Sequence, residues 1–376
     1  MENIKINDTN ESKASEKRNE DKGVNSEREI DKNILYNNFN VSQIQLKVKI
    51  KKDEDDDPYL FYNIFPNENI LVYNSYYLKV FKSKTFKPIF YYKIDLINEI
   101  IILSNNSLLL NIGDIIILKF SENKLESTTK QQMNLKDDEV SSASIIKLNN
   151  NRILFYKYSF FSVSARSSYL MFFKYDDKNS SLEFEGEDDH KIKKPLMKFL
   201  TYEDSFFSFG NYDISSRNSN LPQIFHYLYF YKDKKFITIF DSEDKDYLID
   251  CIIYNKKYIL AVFYHSIEKY SIKGENFEYI SNFSFENTKI IRFIFKYRKN
   301  LFLLYLNTNI GENNNNYLCF DDDEDLDQEE DLSFLEIDED FKKINQEKTK
   351  LKNCKKLLFC NKKFYCHLYD RICIYD

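Results

Sequence analysis

The chain has 376 residues, of which 43% are hydrophobic and 30% charged, and its formal net charge is −6. This composition supplies enough apolar surface for a large core and excludes collagen-like, coiled-coil and wholly disordered proteins. Six cysteines are too few for a disulfide scaffold of this length, and they predict reduced thiols in the cytoplasm, with the nucleus as the other option.

Residues 1–35 contain no aromatic residue, although 16% of the whole chain is aromatic. They carry nine acids and seven bases, and such a segment buries too little apolar surface to offset its ordering entropy. We therefore predict a disordered N-terminal tail over 1–35. The tail has no apolar leader core, and no run in the chain approaches the roughly 20 apolar residues of a spanning helix. The sequence thus predicts no membrane span.

From Tyr36 onward, short apolar runs alternate with clusters of Asn, Asp, Lys and Ser. Residues 69–73, 99–103 and 114–118 are examples, and this punctuation is typical of strands. Many runs are apolar throughout, which indicates strands that are buried on both faces. The pattern predicts an all-β fold.

One unit recurs along the chain: an apolar strand that ends in an aromatic residue, a polar hairpin and a further strand. The spacing between the terminal aromatic residues is 39 to 56 residues, which predicts seven repeats. These residues are Phe81, Phe120, Tyr175, Tyr231, Tyr270, Phe320 and Tyr375.

The unit resembles the third and fourth strands of a WD-repeat β-propeller blade, in which the third strand ends in Trp-Asp. Phe or Tyr replaces the Trp in every repeat here, and the Asp is present as Asp176, Asp321 and Asp376. Residues 63–68 resemble the turn that follows a first strand in that family, whereas its Gly-His dipeptide is missing. The resemblance covers residues 40–376 and implies a seven-bladed β-propeller over 36–376.

The two ends of the chain fit a single closure. The last unit lacks a fourth strand, and residues 43–50 form an alternating apolar and polar strand ahead of the first unit. Pairing of 43–50 with 371–375 would complete the seventh blade and remove two open edges.

Charge is concentrated near the C-terminus. Residues 321–340 contain thirteen acids and no base, and residues 342–363 contain nine lysines and one acid. We predict an acidic hairpin at 321–331 and a Lys-rich inter-blade loop at 338–354. Two solvated segments that attract each other explain this pattern, while a divalent cation or a basic partner at the acidic hairpin remains an alternative.

Catalytic and metal-binding motifs are missing from the sequence. Cys354, Cys360, Cys366 and Cys373 are separated by five or six residues rather than the two to four of zinc ligand pairs, and they are interpreted as buried core residues. We predict no cofactor, no metal and no enzymatic activity.

The predicted first strands of the blades, which line the channel of a propeller, are mostly apolar. Their ionisable residues are scattered: Glu99, Lys147, Lys198, Asp250, Arg292 and Lys296. This favours a non-catalytic protein–protein interaction scaffold, present as a monomer within a larger complex of unknown partners. A small-ligand or nucleic-acid binding propeller, or an enzyme that uses the channel, remains the alternative, although the balanced charge disfavours nucleic acid.

Six long insertions fall between second and third strands or between blades, so they are predicted to share one rim: 159–167, 211–223, 307–316, 130–142, 186–195 and 338–354. Long loops on a rigid scaffold commonly carry binding residues. The candidate partner-binding residues are Phe160, Phe161, Arg166, Tyr212 and Arg217, because aromatic residues and arginine are enriched at interface anchors. The acidic hairpin is predicted to lie on the opposite rim.

Overall fold

A computed structural model describes residues 46–375 apart from fourteen gaps: 52–60, 95, 113, 132–141, 159–167, 191–195, 215–222, 244–245, 286–288, 298–299, 308–330, 353–355, 361–362 and 369–370. The chain divides into two compact units, Met1–Asn40 and Val41–Asp376, and all described residues belong to the second. The predicted disordered tail over 1–35 lies outside the described residues.

The described chain folds into strands that form seven four-stranded antiparallel sheets. The chain begins with β1 (Leu46–Lys51), and sheets 1 to 6 follow as consecutive meanders. Sheet 1 contains β2 (Phe61–Ile64), β3 (Ile70–Tyr73), β4 (Tyr77–Phe81) and β5 (Pro88–Lys93); sheet 2 contains β6 (Glu99–Ser104), β7 (Ser107–Asn111), β8 (Ile115–Ser121) and β9 (Lys124–Gln131); sheet 3 contains β10 (Ser142–Lys147), β11 (Arg152–Tyr158), β12 (Ser168–Asp176) and β13 (Ser181–His190).

The remaining sheets repeat the same order. Sheet 4 contains β14 (Lys198–Tyr202), β15 (Ser205–Ile214), β16 (Gln223–Lys232) and β17 (Lys235–Glu243); sheet 5 contains β18 (Leu248–Tyr254), β19 (Tyr258–Phe263), β20 (Ser266–Lys273) and β21 (Asn276–Ser284); sheet 6 contains β22 (Lys289–Tyr297), β23 (Asn300–Asn307), β24 (Asp331–Ile337) and β25 (Lys343–Lys352); sheet 7 contains β26 (Lys356–Cys360), β27 (Lys363–Leu368), β28 (Arg371–Tyr375) and, as its fourth strand, β1.

The predicted pairing of the two chain ends is observed in sheet 7. Strand β1 is antiparallel to β28, with Val48 opposite Ile374 and Ile50 opposite Ile372. The described part of this strand begins at Leu46, and residues 43–45 of the predicted strand lie outside the described residues.

Each of sheets 1 to 5 packs face to face on the next one along the chain, because its middle strands are apolar on both sides. Strand β7, for example, is buried along its whole length. Buried clusters join sheets 1–2, 2–3, 3–4, 4–5 and 5–6, and they contain the pairs Leu78 and Leu118, Ile117 and Ile153, Leu170 and Phe206, Leu228 and Ile259, and Val262 and Leu303.

The packing order returns to its starting point at sheet 7. Tyr365 of β27 belongs to a buried cluster with Tyr62, Ile70 and Val72 of sheet 1. The Tyr62 hydroxyl donates a hydrogen bond of 2.5 Å to the backbone carbonyl of Tyr365. The last sheet therefore contacts the first.

The prediction that the aromatic residues near the ends of the third strands are core residues is confirmed. Phe81, Phe120, Tyr175, Tyr231 and Tyr270 are all buried. In sheet 6, however, the third strand is β24 and ends at Ile337, which is fully buried. The prediction of Phe320 as the end of that strand is therefore wrong.

Two predictions about sheet 6 are corrected by this assignment. Residues 343–352, assigned to a Lys-rich inter-blade loop at 338–354, form the outer strand β25. Its polar composition suits an edge strand, since charged side chains discourage pairing with other chains. The acidic residues 321–330 lie in the connection between β23 and β24, a second-to-third connection, and not in a third-to-fourth hairpin.

Every sheet has two ends with different connections. The turns from first to second and from third to fourth strands lie at one end, called here the hairpin rim. The second-to-third connections and the inter-sheet connections lie at the other end, called the loop rim. In chain order the acidic residues 321–330 therefore fall between a second and a third strand, as 159–167 and 211–223 do. The prediction that they lie on the rim opposite the long insertions rested on a third-to-fourth assignment, and the residues themselves lie outside the described chain.

Like ends of neighbouring sheets lie side by side. On the hairpin rim, Lys232 of sheet 4 forms an ion pair of 3.5 Å with Glu275 of sheet 5. On the loop rim, the Asn211 side chain donates to the Leu248 carbonyl at 2.7 Å and accepts from the Leu248 N–H at 3.0 Å. The two rims thus continue from sheet to sheet.

Candidate functional site

The two rims differ in the length of their connections. The hairpin-rim turns contain two to six residues. The loop-rim connections are between two residues (264–265) and 23 residues (308–330) long. Of the thirteen non-glycine residues with positive φ in the described chain, twelve lie in hairpin-rim turns. Tight β-turns need such conformations, so the hairpin rim is built from compact turns and the loop rim carries the insertions.

Exposed large hydrophobic side chains divide between two places in the described chain. Five lie on the loop rim: Phe61, Tyr76, Leu96, Met197 and Tyr247. Six lie on fourth strands: Tyr91, Leu125, Phe184, Tyr279, Ile280 and Ile344. Among the described residues, none of these exposed side chains lies in a hairpin-rim turn.

Two exposed residues of the fourth strands cover aromatic residues of the third strands. Phe184 contacts Phe173 edge to face at 5.3 Å, and Tyr279 contacts Tyr270 in the same way at 5.7 Å. Each of these residues is the cross-strand partner of the residue that it contacts. They cover the edge of the third strand, whereas the loop-rim residues are left as candidates for binding.

Tyr212 of sheet 4 is the only predicted site residue that falls within the described residues. Tyr212 lies near the end of β15 on the loop rim, and its ring stacks on Phe225 at 5.3 Å. Its hydroxyl lies 3.4 Å from Oδ1 of Asp241, to which it donates a hydrogen bond. Tyr212 is half-buried and belongs to the sheet rather than to a loop, because β15 extends to Ile214. Phe160, Phe161, Arg166 and Arg217 lie outside the described residues.

Tyr247 and Tyr264 form a second aromatic pair on the loop rim, between sheets 4 and 5. Their rings stack at 5.3 Å. The half-buried carboxylate of Asp246 supports the pair, because it accepts hydrogen bonds from the N–H groups of Tyr247 and His265. Burial raises the pKa of Asp246, while these hydrogen bonds and the nearby His265 oppose the increase. The pair is therefore held by local hydrogen bonds.

Met197 lies in the connection from sheet 3 to sheet 4. Its side chain is 56% exposed, and its N–H donates to the Tyr227 hydroxyl at 2.7 Å. A Cβ added at Gly210 would lie 2.7 Å from Cβ of Met197. The absence of a side chain at Gly210 therefore allows the Met197 segment to approach β15 closely. Met197, Tyr212 and Tyr247, with their stacking partners Phe225 and Tyr264, are called here the sheet 4–5 sector.

No sequence signal identified Met197 or Tyr247 as surface residues. Both are apolar residues at the ends of inter-sheet connections, directly before a first strand. Such residues are indistinguishable in sequence from the core residue Leu196 next to Met197, which is buried.

The ionisable residues of the first strands tie neighbouring sheets together. Lys147 of sheet 3 donates to the Ile102 carbonyl of sheet 2 at 3.2 Å and also to the Leu103 carbonyl. Lys198 of sheet 4 donates to the Ile249 carbonyl of sheet 5 at 2.8 Å. Burial lowers the pKa of Lys147. These cations bond to backbone carbonyls of adjacent first strands.

The acidic residues of the first strands also bond to backbone. Oε2 of Glu99 accepts a hydrogen bond of 2.7 Å from the Ile145 N–H of the next sheet. Burial raises the pKa of Glu99 to about 7, and the Ile145 hydrogen bond opposes that increase. Burial, together with the nearby Glu99, raises the pKa of Tyr73 to about 12. Burial also raises the pKa of Asp250, whose Oδ1 accepts from the Cys251 N–H at 2.8 Å.

The described residues also bear on metal ligation and membrane crossing. Among the described residues, no group of three or more His, Cys, Asp or Glu side chains is arranged to hold a metal ion. Cys251 and Cys366 are buried and carry free thiols. Within the described ranges, no helix has the length and apolar character needed to cross a membrane.

Comparisons with known proteins give matches in structure alone. Neither protein-family models nor curated protein sequences match the chain. A chain in the crystal structure of a mitotic checkpoint complex is 10% identical, with a TM-score of 0.52, and the match covers 98% of both chains. This likeness shows the fold alone, and with the repeated four-stranded antiparallel sheets it fits a β-propeller.

Two further solved structures are more distant. The tricorn protease matches at 12% identity and a TM-score of 0.49 over 82% of this chain, which spans about a third (33%) of that protease chain. A functionally unknown protein from Desulfotomaculum acetoxidans DSM 771 matches at 12% identity and a TM-score of 0.43, over 76% of this chain and 84% of that one.

Proposed function

We propose that the chain is a seven-bladed, WD-repeat-like β-propeller that acts as a non-catalytic protein-interaction scaffold. The seven sheets, the contact of sheet 7 with sheet 1 and the pairing of β1 with β28 support the closed ring. The bonding of Glu99, Lys147 and Lys198 to neighbouring backbone supports a structural role for the channel residues.

The observation that carries the proposal is the placement of exposed apolar side chains on the loop rim. Met197 and Tyr247 are 56% and 39% exposed. They lie in the connections before and after sheet 4, which carries the stacked pair of Tyr212 and Phe225. Aromatic and Met side chains are enriched in protein interfaces. We propose that a partner protein binds at the sheet 4–5 sector.

Site-specific photo-crosslinking in cells tests which rim binds. A photoreactive amino acid at Met197 or Tyr247 should crosslink a co-purifying protein. The matched controls are Lys234 and Glu275, which are exposed residues in hairpin-rim turns of the same two sheets. Crosslinks from the control positions together with none from Met197 or Tyr247 would move the interface to the hairpin rim and contradict the proposal.

A charge-reversal variant refines the same experiment. Arg166→Glu combined with Arg217→Glu should reduce the crosslinks from Met197 and Tyr247, because both arginines belong to loop-rim connections of sheets 3 and 4. Unchanged crosslinking in this variant would remove the two arginines from the interface and leave the aromatic residues as its anchors.

A further inference from the structure

Sheet 5 has an acidic residue at a position where the other third strands have none. Glu268 lies two residues before Tyr270, the aromatic residue near the end of β20. Glu268 is half-buried, and desolvation of a carboxylate costs free energy unless the charge finds a partner. Its presence therefore indicates a specific role. The equivalent residues of the other six third strands are Lys79, Leu118, Phe173, Tyr229, Leu335 and Cys373.

Tyr270 connects Glu268 to two further aromatic residues. The Tyr270 hydroxyl donates a hydrogen bond of 2.6 Å to Oε2 of Glu268. The Tyr270 ring lies 5.8 Å from that of Phe240 in β17 of sheet 4 and 5.7 Å from that of Tyr279 in β21. Glu268, Tyr270, Tyr279 and Phe240 are called here the Glu268 cluster. The cluster thus places one carboxylate beside three aromatic rings where sheets 4 and 5 meet.

No ion pair of the described residues neutralises the Glu268 carboxylate. The neighbouring Lys269 faces sheet 6, where its ammonium group donates to the Glu339 carbonyl at 2.6 Å and lies 4.4 Å from the centre of the Tyr258 ring. Burial and the bond to Glu268 raise the pKa of Tyr270, so its hydroxyl remains a neutral donor. The cluster therefore retains a negative charge.

The cluster is open to solvent on the side of β21. Tyr279 covers Tyr270, yet 55% of its own surface is exposed. Asn282, which lies opposite Glu268 in the pairing of β20 with β21, is also exposed. A carboxylate beside aromatic rings is complementary to a guanidinium group, which stacks on a ring and donates to carboxylate oxygens.

The Glu268 cluster adjoins the sheet 4–5 sector. Strand β20 begins at Ser266, directly after the connection that carries Tyr264, and the Ser266 hydroxyl donates to Oδ2 of Asp246 at 3.4 Å. Four residues of extended chain separate Tyr264 from Glu268, a distance of about 13 Å. A partner segment of a few residues spans this distance, so one partner reaches both places.

We propose that the Glu268 cluster binds an arginine side chain of the partner protein. The guanidinium group donates to the Glu268 carboxylate and stacks on the exposed ring of Tyr279. Charge-assisted hydrogen bonds of this kind are stronger than those between neutral groups, and arginine is enriched among the residues that dominate binding energy. The inference rests on the proposed protein-binding role of the loop rim and specifies one residue type that the partner presents.

Fluorine NMR with the purified full chain tests this inference. A trifluoromethylphenylalanine at the position of Asn282 gives a single resonance opposite Glu268, and the same label at the position of Lys234, in a hairpin-rim turn of sheet 4, is the control. The probe is N-acetylarginine N-methylamide, and the uncharged probe is its citrulline counterpart. The arginine probe should shift the Asn282-site resonance saturably, with a dissociation constant in the millimolar range. The citrulline probe should bind at least about tenfold more weakly.

Variants separate the cluster from general surface charge. Glu268→Gln keeps an acceptor for the Tyr270 hydroxyl and should weaken binding of the arginine probe at least about tenfold. It should leave thermal stability unchanged or higher, because it removes a half-buried charge. Tyr279→Leu keeps an apolar cover over Tyr270 and should weaken binding about two- to fivefold. The matched control is Glu278→Gln, which removes an exposed carboxylate that pairs with Lys273 at 2.6 Å in the same sheet and should leave binding unchanged.

Each alternative outcome overturns the inference. A shift that does not saturate, equal binding of the arginine and citrulline probes, or unchanged binding in Glu268→Gln and Tyr279→Leu would exclude the cluster as an arginine site. Tighter binding of N-acetyllysine N-methylamide would contradict the assignment of arginine. If Glu268→Gln fails to fold, Tyr279→Leu and the citrulline probe still decide. The crosslinking at Met197 and Tyr247 reports on the proposed function independently of these probes.

Discussion

Single polar side chains form hydrogen bonds with backbone N–H and C=O groups on the unpaired edges of first strands. A first strand pairs on one side alone, so its outer N–H and C=O groups need other partners. Glu99 accepts a hydrogen bond from the Ile145 N–H, and Lys147 donates one to the Ile102 carbonyl. Asn211 bonds to both polar backbone groups of Leu248. The bond partner lies on an adjacent sheet in each case, so these residues contribute to the order in which the sheets pack.

Glu99→Gln is expected to change the pH dependence of stability. Because the pKa of Glu99 is raised to about 7 in the folded chain, the folded state binds a proton that the unfolded state releases between about pH 4.5 and pH 7. The stabilisation that the Glu99 carboxyl contributes to the wild type is therefore present below this pH window and decreases as pH rises through it. Glutamine keeps an acceptor for Ile145 without titrating.

Thermal or urea unfolding at several pH values measures this effect. The Glu99→Gln variant should match the wild type near pH 5 and be more stable by about 1–3 kcal/mol near pH 8. A constant difference across the range, or a wild type that gains stability relative to the variant as pH rises, would show that folding does not raise the pKa of Glu99.

Each sheet contains an irregularity in the pairing of its third strand with its fourth. All seven of these pairings contain a register shift at or beyond the middle of the third strand, and the pairing in sheet 6 contains another at its start. β-Bulges increase the local twist and turn edge strands away from neighbours. The fourth strands therefore share one geometry, even where β25 and β21 share little sequence.

Phe184→Ser is expected to destabilise the chain although Phe184 is 54% exposed. Its ring covers Phe173 at the bulge of sheet 3, at 5.3 Å, and loss of such an aromatic cross-strand pair costs about 1 kcal/mol. Tyr76→Ser on the loop rim, with similar exposure, should change stability by less than about 0.5 kcal/mol. Urea denaturation compares the two variants, and equal losses would contradict a structural role specific to the fourth strands.

The sequence predicted most strands because apolar runs between polar clusters survive in every repeat. The predicted first strands agree with the observed ones to within two residues at each end, as for 247–254 against Leu248–Tyr254. Sheet 6 was misassigned because its third strand ends in Ile337 instead of an aromatic residue and its fourth strand is polar. Local periodicity carries no information on such a strand, whose place depends on pairing with β24.

The loop-rim surface was predicted in outline and missed in detail. Connection lengths follow from strand positions, so the crowding of insertions on one rim could be anticipated. The exposure of Leu96, Met197 and Tyr247 depends on tertiary packing and on a positive φ at Leu96, and sequence pattern reports neither of these.

At the scale of the whole molecule, the contact between sheets 7 and 1 joins residues that are far apart in sequence. Tyr62→Phe removes the buried hydrogen bond to the Tyr365 carbonyl and leaves that carbonyl without this donor. We expect a loss of about 1–2 kcal/mol in the free energy of unfolding. Tyr202→Phe is the matched control, because the Tyr202 hydroxyl donates to the Lys256 carbonyl of the next sheet at an exposed position, and it should cost less than about 0.5 kcal/mol. Equal, small losses in both variants would contradict a closing contact at Tyr62.

Two truncations test the closure by the N-terminal strand directly. Deletion of residues 1–35 leaves β1 in place, so the melting temperature should stay within a few degrees of that of the full chain. Deletion of residues 1–51 removes β1, and with it the antiparallel partner of Arg371–Tyr375. The backbone groups of β28 then lie on an open edge, which favours unfolding or edge-to-edge aggregation. Calorimetry and size-exclusion chromatography of the two truncated chains measure the difference. If both melt at the same temperature as monomers, β1 contributes nothing to the ring and the proposed closure is wrong.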